Sequence, residues 1–159
     1  MSLSDTPSNL KAGGSLATDG TYLYAFRGTR KTDFWRYSLT SGTWSAMASA
    51  PEKTESGAAL VYANGYVYGS RGDRQDDFWR FSVSTGVWST LANTPANVGW
   101  GGALAGDGSD SIYTFRGDTK ADFWRYSISG NSWTALTNAP ATVNQDGALA
   151  YVSGTVQGS

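Results

Sequence analysis

Short apolar runs broken by polar, glycine-bearing turns fill this chain, and no stretch sustains the 3.6-residue apolar period of an amphipathic helix. The run GAALVYA at 57–63 is followed by Asn64-Gly65 and then by YVYGSRG at 66–72. These are β-branched and aromatic segments joined by a pair that takes the positive φ angles of a tight hairpin. DFWRFSV at 77–83 alternates Phe78 and Arg80 with Trp79 and Phe81, so each face of a strand there carries an aromatic group. After the turn cluster Ser84-Thr85-Gly86, the run GVWSTLA supplies a fourth segment. The pattern predicts four short strands in succession, with small residues (Gly57, Ala58, Ala59) on the first and tryptophans on the later ones. Such a sheet is narrow at its first strand and bulky towards its last.

The whole unit repeats. Asp33-Phe34-Trp35-Arg36 returns at Asp77–Arg80 and Asp122–Arg125, steps of 44 and 45 residues. Trp44, Trp88 and Trp133 keep the same step, as do Arg27, Arg71 and Arg116. Pro51, Pro95 and Pro140 follow in register, and stepping back lands on Pro7, so the register begins before residue 10. The extra residue of the third repeat falls in GDGSDS, a polar turn that tolerates insertion. At the far end DGALAYVSGTVQGS matches the opening of the second repeat and stops partway. Fixed periods of this length mark stacked or radial repeats, and tapered four-stranded sheets packed face to face around an axis form a β-propeller. The expected fold is all-β without helices, a propeller fragment over 7–159 after a tail at 1–6. Its blades are expected near 13–55, 57–99 and 101–144, with a partial blade of two strands at 146–159.

On these residues the repeat resembles the kelch motif of β-propellers. That motif runs from a hydrophobic first strand, through a second strand ending in a double glycine, to a separated tyrosine and tryptophan. Tyr37, Phe81 and Tyr126 precede Trp44, Trp88 and Trp133 in that manner. The first glycine of the pair is replaced in every repeat, giving Arg27-Gly28, Arg71-Gly72 and Arg116-Gly117. The Gly-His and Trp-Asp signatures of WD repeats do not occur, and SLTSGTW at 38–44 lacks the aspartate of a sialidase Asp-box. Arg71-Gly72-Asp73 and Arg116-Gly117-Asp118 are therefore repeat positions followed by turn residues rather than adhesion signals, Thr29 standing at the same place in the first repeat.

Composition narrows the chemistry. Formal net charge is −1 with charges mixed along the chain, so no basic stripe invites nucleic acid. No apolar run is long enough to span a bilayer, and the start MSLSDTPSNLKAGG has neither a basic nor an apolar stretch of the kind that opens a signal peptide. A soluble protein of undefined compartment is expected. With no cysteine and no histidine the chain has no disulfide, no thiolate nucleophile and no imidazole base or ligand. No metal or cofactor is expected, the turn at Asp107 and Asp110 offering only two carboxylates to a hard cation.

Two sets of side chains are candidate ligand contacts. Arg27, Arg71 and Arg116 end their second strands, and as an arc of guanidinium groups they would grip a carboxylate or sulfate. The competing role is an ion pair across each hairpin with Asp33, Asp77 or Asp122, which recur as strictly, and this is the favoured role. Trp35, Trp79, Trp124, Trp44, Trp88 and Trp133 recur in every repeat and are read as packing. Trp100 differs, since its counterparts are Ala12, Ser56 and Gln145 and it sits in the glycine-rich NVGWGG; it is the tryptophan expected to contact a ligand.

The expected function is a non-enzymatic binding or scaffold module with a protein or carbohydrate ligand, built from kelch-like repeats, either by itself or as a fragment of a larger propeller protein. The alternative is the non-catalytic portion of a larger glycan-active or oxidase-type propeller enzyme. The resemblance implies that oxidase members hold copper with histidines and a cysteine-linked tyrosine, which this chain cannot supply. Three blades and a half leave an apolar face at each end, so a homodimer completing a ring is expected.

Overall fold

The computed structural model describes residues 4–145 and 147–151, and it is all-β, with no helix among the described residues. Three four-stranded antiparallel sheets follow one another along the chain. The first holds β1 (Ser15–Thr18), β2 (Tyr22–Phe26), β3 (Phe34–Ser38) and β4 (Trp44–Ala46). The second holds β5 (Ala59–Ala63), β6 (Tyr66–Ser70), β7 (Phe78–Ser82) and β8 (Trp88–Thr90). The third holds β9 (Ala103–Gly106), β10 (Ser111–Phe115), β11 (Phe123–Ser127) and β12 (Ser132–Ala135). Each sheet is a meander whose strands pair in chain order, as blades of a propeller-like fold do.

Local chemistry sets the turns. Asn64 and Gly65, at φ 49° and 84°, form a two-residue loop that brings Ala63 opposite Tyr66. In the other two sheets an aspartate does this work. Asp19 Oδ1 accepts the backbone N–H groups of Thr21 and Tyr22, and Asp107 Oδ1 those of Ser109 and Ser111. These bonds hold both carboxyls below the usual carboxylate range against the opposing effect of burial.

The alternation in DFWR separates two interfaces. Trp79 and Phe81 turn towards the first sheet, packing with Tyr24, Phe26 and Phe34, whereas Phe78 joins Tyr68, Ile112 and Tyr126 at the third. The two junctions have the same geometry. Phe34 meets Trp88 edge-on at 4.9 Å and 64°, and Phe78 meets Trp133 at 5.0 Å and 66°. The first strands β1, β5 and β9 lie side by side, and the buried Ala58 and Ala59 permit that convergence.

Each outer tryptophan also stitches its blade to an earlier connector. Trp88 Nε1 donates to Ala48 O and Trp133 Nε1 to Ala92 O, both at 2.9 Å. Trp44 Nε1 donates to Ser4 O at 3.2 Å, and Ser4 Oγ donates to Gly42 O. The segment from Ser4 onwards is thus a connector of the repeat, although residues 1–6 read as a tail from the sequence. At the other end, residues 147–151 carry no strand, and the remainder of the partial blade expected at 146–159 lies outside the described residues.

Candidate functional site

Loops between the second and third strands and the lead-in to each blade share one face. The loops at 27–33, 71–77 and 116–122 carry the arginines. Arg27 Nη1 stands 3.2 Å from Asp33 Oδ2, Arg71 Nη1 2.8 Å from Asp77 Oδ2, and Arg116 Nη1 3.3 Å from Asp122 Oδ2. Every guanidinium in the arc therefore has a carboxylate from its own hairpin. If that pairing organises the loop, Arg71→Ala and Asp77→Ala will each destabilise slightly, and the double variant will lose less than the sum. Thermal or urea unfolding should return a coupling of about 0.2–1 kcal/mol; strict additivity would dissolve the pair.

The lead-in segments pack closely at the axis. Gly13, Gly57 and Gly101 take φ of 82°, 85° and 84°. A Cβ at these places would land on the backbone carbonyl of the next lead-in, at Glu55, Gly99 and Asn144. Only glycine permits this approach. Immediately before each glycine stands the variable position, so Ala12, Ser56 and Trp100 come together with Gln145 around one bowl of about 340 Å³. Trp100 is 45% exposed, against 2% for Trp79, and the repeat tryptophans Trp35 and Trp124 are likewise buried. Trp44, Trp88 and Trp133 are half-buried in the stitches described above. The structure thus separates the aperiodic tryptophan from the six periodic ones.

A charged notch of about 200 Å³ adjoins the bowl, with Ser56 and Trp100 lining both. At the junction of the first two blades Arg30 Nε donates to Glu55 Oε2 at 2.7 Å. At the next junction Arg74 makes a forked pair with Asp118, at 3.0 Å from Nη2 and 3.2–3.3 Å from Nε. The guanidinium carbon of Arg74 stands 5.8 Å from the Trp100 ring centre. The difference between junctions has a steric cause. Gly99 occupies the repeat position of Glu55, and a Cβ there would sit 2.7 Å from the Asp118 Cβ. One carboxylate fits at the second junction, where the first carries both Glu55 and Asp73.

These two acids respond in opposite senses. The hydrogen bond from Arg30 is the main influence holding the Glu55 carboxyl below its ordinary range. Burial, followed by the neighbouring Glu55, pushes the Asp73 carboxyl up, with only partial relief from Arg30 and Arg71. No ion pair reaches Asp73 among the described residues.

Sequence reasoning missed Arg30, Glu55, Ser56 and Arg74. Their signal was present as breaks in the period, Glu55 against Gly99 and Arg74 against Thr119, but it gains meaning only when adjacent blades are superposed on one face. Asp118 is more than a turn residue, since it latches the preceding blade. Asp107 is spent on its own loop and Asp110 on the neighbouring β11–β12 turn. Asp110 accepts from Ser127 Oγ and from both the backbone N–H and the hydroxyl of Ser129.

No protein-family model matches the chain, and no curated protein matches it in sequence. A solved structure described as the structure of YjhT superposes with a TM-score of 0.71 at 16% identity, covering 87% of this chain and 54% of that one. The chain thus spans about half the length of that structure. What the two share at this identity is the fold, and the three meandering sheets of this chain are blades of a β-propeller-like architecture.

Proposed function

We propose that the chain is a kelch-like, non-enzymatic binding module that holds a hydroxylated ligand of sugar type in the axial bowl, with Trp100 as its platform. One observation carries this. At the repeat positions that fill the blade interiors with tryptophan, Trp35, Trp79 and Trp124, the same residue returns in every blade; at the position lining the bowl it becomes Ala12, Ser56, Trp100 and Gln145. A side chain freed from the common packing demand is available for contact, and this one set converges on a single concavity. An indole face bordered by a hydroxyl, an amide and backbone polar groups suits a sugar ring.

The test is NMR of the indole N–H signals, of which the chain has seven. Soluble oligosaccharides are titrated in, and the Trp100 signal is identified by its loss in Trp100→Ala. A ligand of this site moves that signal and binds Trp100→Ala at least tenfold more weakly. If no oligosaccharide moves it, or affinity survives the substitution, the proposal fails. We further propose that two copies associate through their end faces, because both faces present residues whose repeat equivalents are buried.

A further inference from the structure

We infer that the notch beside Trp100 takes an ammonium group, so that the ligand of the axial bowl is an amino sugar with a free amine, its nitrogen seated against Asp73 and Glu55 and its ring over the indole. This rests on the bowl being a binding site, and it adds the ligand's charge.

The argument starts from the mismatch between junctions. Asp73 and Asp118 occupy the same repeat position in successive blades, each in a left-handed conformation, at φ 52° and 53°. Asp118 has its arginine, Arg74, from the preceding blade. The arginine in that relation to Asp73 is Arg30, and it is engaged by Glu55 at 2.7 Å. Arg71 is engaged by Asp77 at 2.8 Å. The notch thus holds Arg30 and Arg74 beside Glu55 and Asp73, and with Arg30 committed to Glu55 and Arg74 to Asp118 one carboxylate, Asp73, is left over. A carboxylate in excess, beside an aromatic face, is complementary to a compact cation with several donors, and an ammonium group offers three. An anionic ligand is disfavoured, because both guanidinium groups of the notch are already matched and it would add to the excess. The upward shift of the Asp73 carboxyl, caused by burial and then by Glu55, agrees with a carboxylate short of cationic partners.

Size agrees as well. The notch and the bowl, about 200 and 340 Å³, meet at Ser56 and Trp100, so an amine in one and a hexose ring in the other belong to one small molecule.

Glucosamine oligomers with free amines, their N-acetylated counterparts and neutral glucans of equal length separate the possibilities, with the Trp100 indole signal as readout. Expected is at least tenfold tighter binding of the free-amine oligomer than of the other two. Asp73→Asn should erase that preference while leaving the weaker binding of the N-acetylated oligomer in place. This variant is expected to fold. A carboxyl whose folded pKa is raised stabilises the protein only while protonated, and that stabilisation is lost as pH rises through the raised value. The ionised Asp73 is therefore unfavourable at neutral pH, and its Tm in Asp73→Asn should not fall. Equal binding of all three oligomers, or a preference that survives Asp73→Asn, overturns the ammonium assignment and leaves the sugar site standing. Absence of any Trp100-dependent binding overturns both.

Discussion

Gly57→Ala should lower stability by about 2–5 kcal/mol, the sum of a left-handed conformation forced on a residue with a Cβ and an overpacked contact. The backbone at Gly57 lies at φ 85°, and the added methyl group would occupy the place of the Gly99 carbonyl oxygen. Neither partner can yield, because Gly99 N–H donates to Arg116 O at 3.0 Å and Gly102 N–H to Gly99 O at 2.9 Å, fixing that peptide between the second and third blades. Gly65→Ala is the matched control. Its φ is 84°, but nothing lies within 4 Å of the added atom, so only the conformational part remains, about 1–2 kcal/mol. Calorimetry should show the first variant melting roughly 10 °C below the wild type and the second markedly closer to it. Equal shifts in the two would mean that close approach of the lead-ins contributes nothing. The position also matters for the bowl, since the glycine that lets neighbouring lead-ins meet is what places Ser56 beside Trp100.

The blades were legible because period and alternation report on packing. Asn64-Gly65, the DFWR runs and the outer tryptophans each reflect a demand that every blade makes separately, and the strands fall where those demands predict. The arginine–aspartate pairs were legible for the same reason, both partners lying in one hairpin. The site was less so. Glu55 finds Arg30 across a blade junction, 25 residues away, and Asp118 finds Arg74 at a separation of 44. Such partners share no hairpin and follow no alternation. Trp100 could be singled out as an exception to the period, yet its meeting with Ala12, Ser56 and Gln145 follows from the way the first strands converge. A repeat displays its structural residues by agreement and its site by disagreement, and the second message needs the axis before it can be decoded.

The association of two copies should appear as a mass of twice 16.9 kDa in size-exclusion chromatography with light scattering at micromolar protein. The first blade presents Leu16, 54% exposed, where its equivalents Leu60 and Leu104 are 5% and 8% exposed within the blade junctions. The third blade presents Tyr113 and Phe123, half-buried, at the positions of Tyr68 and Phe78, which are 1% and 0% exposed. These two faces are the halves of a junction the chain already builds twice, so a second copy is a partner whose shape is known. Leu149, Ala150 and Tyr151 lie beside Ala105, Tyr113 and Phe123 and would be enclosed between the copies. Joining the third blade of each copy to the first blade of the other gives two identical contacts related by a two-fold axis. Leu16→Glu places a charge in both contacts at once and should return the mass to that of one chain, while its own fold, exposed at that residue, is left intact. A wild-type mass of 16.9 kDa across the micromolar range, unchanged in Leu16→Glu, would show that the end faces remain apart.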